Sequence, residues 1–304
     1  MYTRMLIPLD GSKTAEKVLP YARYLAGRLK TPVELMAVID MAEFAAHMPA
    51  GRAPVFERMI ESEAGRSATY LRGIAEILGG IDATCTVEKG RPGEVIAGKS
   101  EPSSGVLIAM TTHGRSGLKR FLMGSVTEEV LRAARNGLLI VHAGEETETE
   151  VAVQFKTIIV PLDGSEFAAT ILPTVAGLAK ALGAEVILFR AYRIPYNDYG
   201  AESYLAGFDF KELLAEVADE AERHLEENAA ELRKLGVEKV SCVAKEGLSA
   251  DEIIAFGRKN PGSLIAMSSH GSSVKRWMLG SVTENVVRHA RSPVLIVRPI
   301  SASA

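Results

Sequence analysis

Cysteine is scarce in this 304-residue chain: there are two, Cys85 and Cys242, and a single tryptophan. Each cysteine stands in a short β-like run (ATCTVEKG and VSCVAKEG), with no Cys-x-x-Cys spacing. That argues against a zinc site or a disulfide framework and leaves both as small apolar strand residues. No apolar stretch approaches the roughly 20 residues that span a bilayer. The opening MYTRMLIPLDGS is a strand pattern broken by Pro, Asp and Gly, without the longer apolar segment of an export signal, so a cytoplasmic protein is expected. Charge of one sign is lacking too. With 35 Lys and Arg against 38 Asp and Glu, the net charge of −3 gives no electrostatic reason to expect nucleic acid or an anionic membrane as partner. There is no Gly-x-Ser-x-Gly nucleophile turn. His47, His142, His224 and His289 show no spacing that suggests a metal.

What the chain does contain, it contains twice. LIPLDGS at 6–12 returns as IVPLDGS at 159–165, and LIAMTTHG at 107–114 returns as LIAMSSHG at 264–271. KRFLMGSVTEEV at 119–130 returns as KRWMLGSVTENV at 275–286, and LLIVHA at 138–143 as VLIVRP at 294–299. One domain has been duplicated; this is not a short-period solenoid. Between the copies lies Gly144-Glu145-Glu146-Thr147-Glu148-Thr149-Glu150, too acidic and apolar-poor to bury itself. The expected organisation is a first domain at 1–143, an acidic linker at 144–152 and a second domain at 153–304.

Within each copy short apolar strands alternate with helical spacing. Met5–Leu9 is followed by Val18, Ala22, Leu25 and Leu29 on one helical face, then by a strand at Val33–Ile39, a long connection and a helix around 57–78. A strand at Ala83–Glu88, a helix near 93–99, a strand at Val106–Thr111, a helix over 126–135 and a strand at Leu138–His142 complete the unit. Such alternation means βαβ units: an α/β chain of two tandem doubly wound domains, each with a mostly parallel sheet and helices on both faces. Ligands of such folds sit at the carboxyl ends of strands, where the winding reverses. The residues that follow strands one, two and four are therefore the ones to weigh.

After strand one comes Pro8-Leu9-Asp10-Gly11-Ser12. Asp10 can accept from a ribose hydroxyl or help hold a metal beside phosphates; in the plainer reading Asp10 or Ser12 caps the next helix. Strand four ends in Thr111-Thr112-His113-Gly114, and nine residues later come Gly124-Ser125-Val126-Thr127-Glu128. Ser125 and Glu128 have the spacing of a capping box. A glycine at a helix N-terminus lets backbone N–H groups approach an anion, and Arg115, Lys119 and Arg120 add positive charge to the loop. A Gly-rich turn feeding a capped helix also has an ordinary structural explanation. His113 and its counterpart His270 fit loop-orienting hydrogen bonds better than phosphoryl-transfer catalysis.

The combination resembles the universal stress proteins, once per half and over essentially the whole chain. The resemblance implies a five-stranded parallel sheet in each domain, a role in stress response, and membership of either an ATP-binding branch, marked by Gly-x2-Gly-x9-Gly-Ser/Thr, or a branch that lacks the motif and the ligand. Carried over to this chain, the ATP loop falls on Gly114, Gly124, Ser125 and Val126, with Arg115 beside them and Thr111 where the motif has its first Gly. A side chain at Thr111 crowds a nucleotide or donates its hydroxyl to it. Pro8 and Asp10 match strand-one contacts to adenosine, and Val38 matches the residue whose backbone meets adenine. In the second copy the matching positions are Pro161, Asp163, Ala191, Ser268, Gly271, Gly280, Ser281 and Val282. Only eight residues separate Gly271 from Gly280, and a loss of one residue can shift loop donors by about 3.5 Å, beyond hydrogen-bond tolerance.

The implied ligand is an adenine nucleotide, ATP first, with AMP or ADP as alternatives, and Mg2+ reaching Asp10 or Asp163 through phosphates. The implied partner surface is the last strand of each copy, Leu138–His142 and Pro293–Val297, forming an intramolecular pseudo-dimer or a homodimer. Three functions remain open: a nucleotide-dependent regulator without efficient catalysis, an interaction scaffold with a degenerate crevice, and a slow ATPase, ranked last for want of a dedicated general base. The connections Met41–Val55 and Arg193–Phe210, the latter with Tyr196, Tyr199 and Tyr204, differ most between the copies and fit a lid or a partner surface.

Overall fold

Uninterrupted apolar runs, rather than alternating ones, decide the sheet type. VLIAMT of β4 (Val106–Thr111) and GLLIV of β5 (Gly137–Val141) are buried at every position, as strands must be when helices cover both faces of a parallel sheet. The computed structural model describes residues 2–46, 53–99, 105–114, 123–142, 153–194, 210–269 and 279–298. The acidic run 144–152, the aromatic stretch 195–209, Arg115, Lys119, Arg120, His47, His270 and Gly271 lie outside the described residues.

The chain divides into two units, Met1–Gln154 with 276–279 and 293–304, and Phe155–Lys275 with 280–292. The first runs β1 (Arg4–Pro8), α1 (Lys13–Glu16), α2 (Leu19–Leu29), β2 (Val33–Asp40), α3 (Met41–Ala46), α4 (Ala53–Leu78), β3 (Ala83–Gly90), α5 (Pro92–Gly98), β4, α6 (Ser125–Ala133) and β5. Its strands are ordered β3-β2-β1-β4-β5, and every neighbouring pair of these five is parallel. From β1 the chain steps to β2 and β3 on one side, then crosses back to β4 and β5 on the other. The reversal point lies between β1 and β4.

The second unit repeats the pattern with β6 (Thr157–Pro161), α7 (Glu166–Ala169), α8 (Leu172–Leu182), β7 (Glu185–Tyr192), α9 (Phe210–Lys234), β8 (Val240–Glu246), α10 (Ser249–Lys259), β9 (Ser263–Ser268) and α11 (Ser281–His289). Parallel pairing joins β8 to β7, β7 to β6 and β6 to β9. The last strand, β10 (Val294–Val297), is counted with the first unit, where it lies antiparallel to β5.

Several local expectations change. The single helix expected after β1 is two, because Pro20 at the start of α2 lacks the N–H a continuing helix needs. Val18 becomes the residue before α2; Val18, Ala22 and Leu25 are buried as their spacing implies. The connection after β2 begins with α3, whose first amides, Ala42 N and Glu43 N, donate to Asp40 Oδ1 at 2.9 and 3.2 Å. Cys85 is exposed on β3 rather than packed as a small hydrophobe, since β3 is the outermost strand of its set. Cys242 is half-buried beside Glu226, and burial together with that carboxylate pushes its thiol up to about 12.

Candidate functional site

The turn after β1 is built by its own polar side chains. Asp10 Oδ1 accepts from Ser12 N at 2.9 Å and from Ser12 Oγ at 2.6 Å, while Ser12 Oγ accepts from Ala15 N at 3.1 Å and caps α1. Capping therefore belongs to Ser12. The other oxygen of Asp10 turns across the reversal point toward β4, where a Cβ added to Gly114 would lie 2.4 Å from Asp10 Oδ2. A side chain at 114 would therefore force the Asp10 carboxylate to shift.

The segment after β4 is held by a chain of short bonds. Thr111, buried, donates from Oγ1 to His113 O at 2.6 Å, and Thr127 Oγ1 donates to Thr111 O at 2.9 Å. Gly124 N donates to Thr112 O at 2.8 Å, and His113 Nδ1 lies 3.0 Å from Thr112 Oγ1. The Thr111 hydroxyl is thus committed to the loop. His113 orients the same loop; burial holds its pKa below the usual histidine range, and its buried Nε2 finds no partner among the described residues.

The expected capping box does not form. The N-cap of α6 is Gly124, one residue earlier than Ser125, and no side chain among the described residues caps it. Glu128 instead takes Arg132 at 2.6 Å, one turn on. The first-turn N–H groups of a helix have no intrahelical partner, so α6 presents its amides at the crevice mouth where α1 has them capped. Gly124 has an extended backbone open to any residue, and the nearest described atoms to a Cβ there would be Thr112 O at 3.5 Å, His113 Cα at 3.6 Å and Gly114 N at 3.8 Å. Among the described residues, packing does not demand glycine at 124.

These pieces border a cleft of about 750 Å3, in the range of small-molecule sites. Of the first-copy residues expected at a site, Pro8, Asp10, Val38, Thr111, Gly114, Gly124, Ser125 and Val126 all line it. The cleft also takes in residues that sequence reasoning missed. Met36, Ala37 and Ile39 add apolar surface from β2, and Glu63, Arg66, Ser67 and Tyr70 face it from α4. The last four fall at i, i+3, i+4 and i+7, one helical face, which is the signal that would have found them. Arg66 pairs with Glu63, and Tyr70 Oη donates to Glu16 Oε1 at 3.2 Å.

The second copy reproduces the frame. Asp163 Oδ1 accepts from Ser165 N at 3.0 Å and from Ser165 Oγ at 2.5 Å, and Ser165 Oγ caps α7 through Ala168 N at 3.1 Å. Pro161 and Ala191 stand at the ends of β6 and β7 in the places of Pro8 and Val38. Gly280 N donates to Ser269 O at 2.9 Å, Thr283 Oγ1 donates to Ser268 O at 3.2 Å, and α11 starts on Gly280 with no side-chain cap, followed by Ser281 and Val282. Among the described residues, no group of three or more His, Cys, Asp or Glu could hold a metal in either copy. No helix among them is long and apolar enough to cross a membrane.

Comparison with known proteins agrees with this architecture. The universal stress protein family matches residues 1–142 and again 154–298. Two universal stress proteins of Methanocaldococcus jannaschii are similar to one repeat's length of the chain. One is 32% identical over 146 residues, 47% of this chain and 82% of that protein; the other is 29% identical over 160 residues, 49% and 98%. The crystal structure of a universal stress protein from Archaeoglobus fulgidus superposes with a TM-score of 0.68 at 23% identity, covering 98% of this chain and 99% of that one.

Proposed function

This chain belongs to the universal stress protein family, carrying its domain twice, and we propose that the first repeat binds an adenine nucleotide, ATP foremost, as a regulatory ligand. The observation that carries the reading is the start of α6, without a side-chain cap among the described residues, opening on a cleft of about 750 Å3 that the Asp10 carboxylate also lines. The amides of Ser125, Val126 and Thr127, with Gly124 and Gly114 giving close approach, suit the phosphates, because a helix N-terminus attracts negative charge. Arg115, next to Gly114 in the sequence, is a cation but lies outside the described residues. Asp10 suits a ribose hydroxyl, and the β2 backbone at Val38, flanked by Ala37 and Ile39, suits the flat face and polar edge of a base. Mg2+ would arrive with the phosphates and share Asp10, since no protein cluster among the described residues would hold it alone.

Signalling by occupancy rather than by turnover fits this site. His113 is engaged in orienting the loop, and no other described group stands out as a general base. The same proposal has the chain working in the cytoplasm, with its last strands as the pairing edge. Isothermal titration of ATP into the full chain, with a thermal melt alongside, tests the binding. Ligand at 100 times its Kd should stabilise the first repeat by about 2.7 kcal/mol. No heat, together with an unmoved melting temperature at millimolar ATP, would leave an interaction scaffold as the reading.

A further inference from the structure

The two crevices share a backbone frame closely enough for their contents to be compared residue by residue. Pro8 is in register with Met36 and Pro161 with Phe189; Leu9 N donates to Met36 O at 2.8 Å and Leu162 N to Phe189 O at 2.9 Å. Ala37 therefore corresponds to Arg190, and Val38 to Ala191. The turn glycines correspond too, Gly11 at φ 80° and Gly164 at φ 91°. In the first repeat Gly11 and Ala37 both line open cleft. In the second the guanidinium of Arg190 lies directly against Gly164: a Cβ built there would meet Nη2 at 2.9 Å, Cζ at 3.1 Å and Nη1 at 3.2 Å.

The opposite wall has changed with it. Tyr70 on α4 precedes the fully buried Leu71, and His224 on α9 precedes the fully buried Leu225, so His224 stands where Tyr70 faces the first cleft. His224 is held below the usual histidine range by burial first and by the charge of Arg190 next, while Glu227, Asp163 and Glu220 pull the other way. The guanidinium is thus within electrostatic reach of both the turn after β6 and the α9 wall. Four residues before His224 is Glu220, where the first repeat has Arg66 four residues before Tyr70. The crevice cation has moved from the helix to the strand.

We infer that Arg190 closes the second crevice to the ligand of the first, its guanidinium filling the room that Ala37 leaves open beside the strand-one turn. The inference rests on the reading of the first repeat as a nucleotide site. Where a sugar or base would settle against Gly11 and Ala37, the second repeat already holds a planar group packed on its glycine. Specificity between two copies of one fold is then set by a single built-in occupant.

Calorimetric stoichiometry with ATP and Mg2+ on the full chain tests this. One site per chain is expected in the natural protein, two in Arg190→Ala, none in Ala37→Arg, and one again in the double variant. One site in both the natural protein and a folded Arg190→Ala would overturn the inference while leaving the first-repeat reading intact, and would shift the cause to the shortened loop before Gly280. Two sites in the natural protein would also overturn it. No site in the natural protein but one in Arg190→Ala would uphold the inference and sink the first-repeat reading; none in either would sink both. If Arg190→Ala does not fold, Ala37→Arg carries the test alone: retained binding at an unchanged ligand-free melting temperature overturns it.

Discussion

The two repeats agree in everything that folds them and differ where a ligand would sit. Turn, cap and helix start are reproduced almost bond for bond: Ser12 and Ser165 cap their helices at the same 3.1 Å, and Gly124 and Gly280 donate to the preceding turn at 2.8 and 2.9 Å. Alanine at 37 and arginine at 190, by contrast, put open space in one crevice and a guanidinium in the other. Backbone polar groups must be satisfied in any copy that folds, so the frame persists. Crevice side chains do not carry that burden and are free to diverge.

The largest effect expected tests the shared half of this comparison. Leu71 and Leu225 are both fully buried at matching places on α4 and α9. Leucine-to-alanine at either should lower unfolding stability by about 2–5 kcal/mol, measured by denaturant titration; a large inequality between the two would break the claim of a common core.

Next come the glycines of the first crevice. Gly114→Ala sets a Cβ 2.4 Å from the Asp10 carboxylate, and we expect ATP affinity to fall about 100-fold, close to 2.7 kcal/mol. Gly124→Ala meets nothing in the described protein nearer than 3.5 Å, so stability should change by less than about 0.5 kcal/mol while affinity still drops. Equal affinity in Gly124→Ala and the natural protein would remove α6 from the binding argument.

A smaller and sharper contrast comes from the paired aspartates. Asp10→Ala and Asp163→Ala each remove the acceptor of two turn hydrogen bonds, at a cost of about 1 kcal/mol apiece in thermal or chemical unfolding. Only the first should weaken ATP. If Asp163→Ala weakens it equally, the second crevice is at work.

The smallest effect concerns pH. Burial holds His113 and His224 below the usual histidine range, so near pH 6.5 the unfolded chain binds protons that the folded chain refuses. Stability is complete above that pH and declines as pH falls toward the folded values. Melting temperatures measured from pH 7.5 to 5.5 should fall, and by less in His113→Asn or His224→Asn; an unchanged slope in both would show that these imidazoles do not carry it.

The sheet and the strand-one and strand-four contributions to the cleft were legible from sequence because each is contiguous. A buried parallel strand is a run of apolar residues, and Asp10, Gly114 and Gly124 sit in turns whose spacing is visible in the chain. The α4 face of the cleft was not, since Glu63, Arg66 and Tyr70 reach it only after a long helix packs across the sheet. Ser125 was misread for a narrower reason: the start of α6 fell one residue earlier, on Gly124, which converts a capped helix into one with open amides. Arg190 reads as an ordinary strand residue until its register with Ala37 is known.

The central claim is that one fold written twice carries one working nucleotide crevice, in the first repeat. Mass spectrometry of nucleotide released on denaturing the ATP-saturated, desalted protein measures that directly. One adenine nucleotide per chain, lost in Gly114→Ala, is the result expected; two per chain, or one that survives Gly114→Ala, would contradict it.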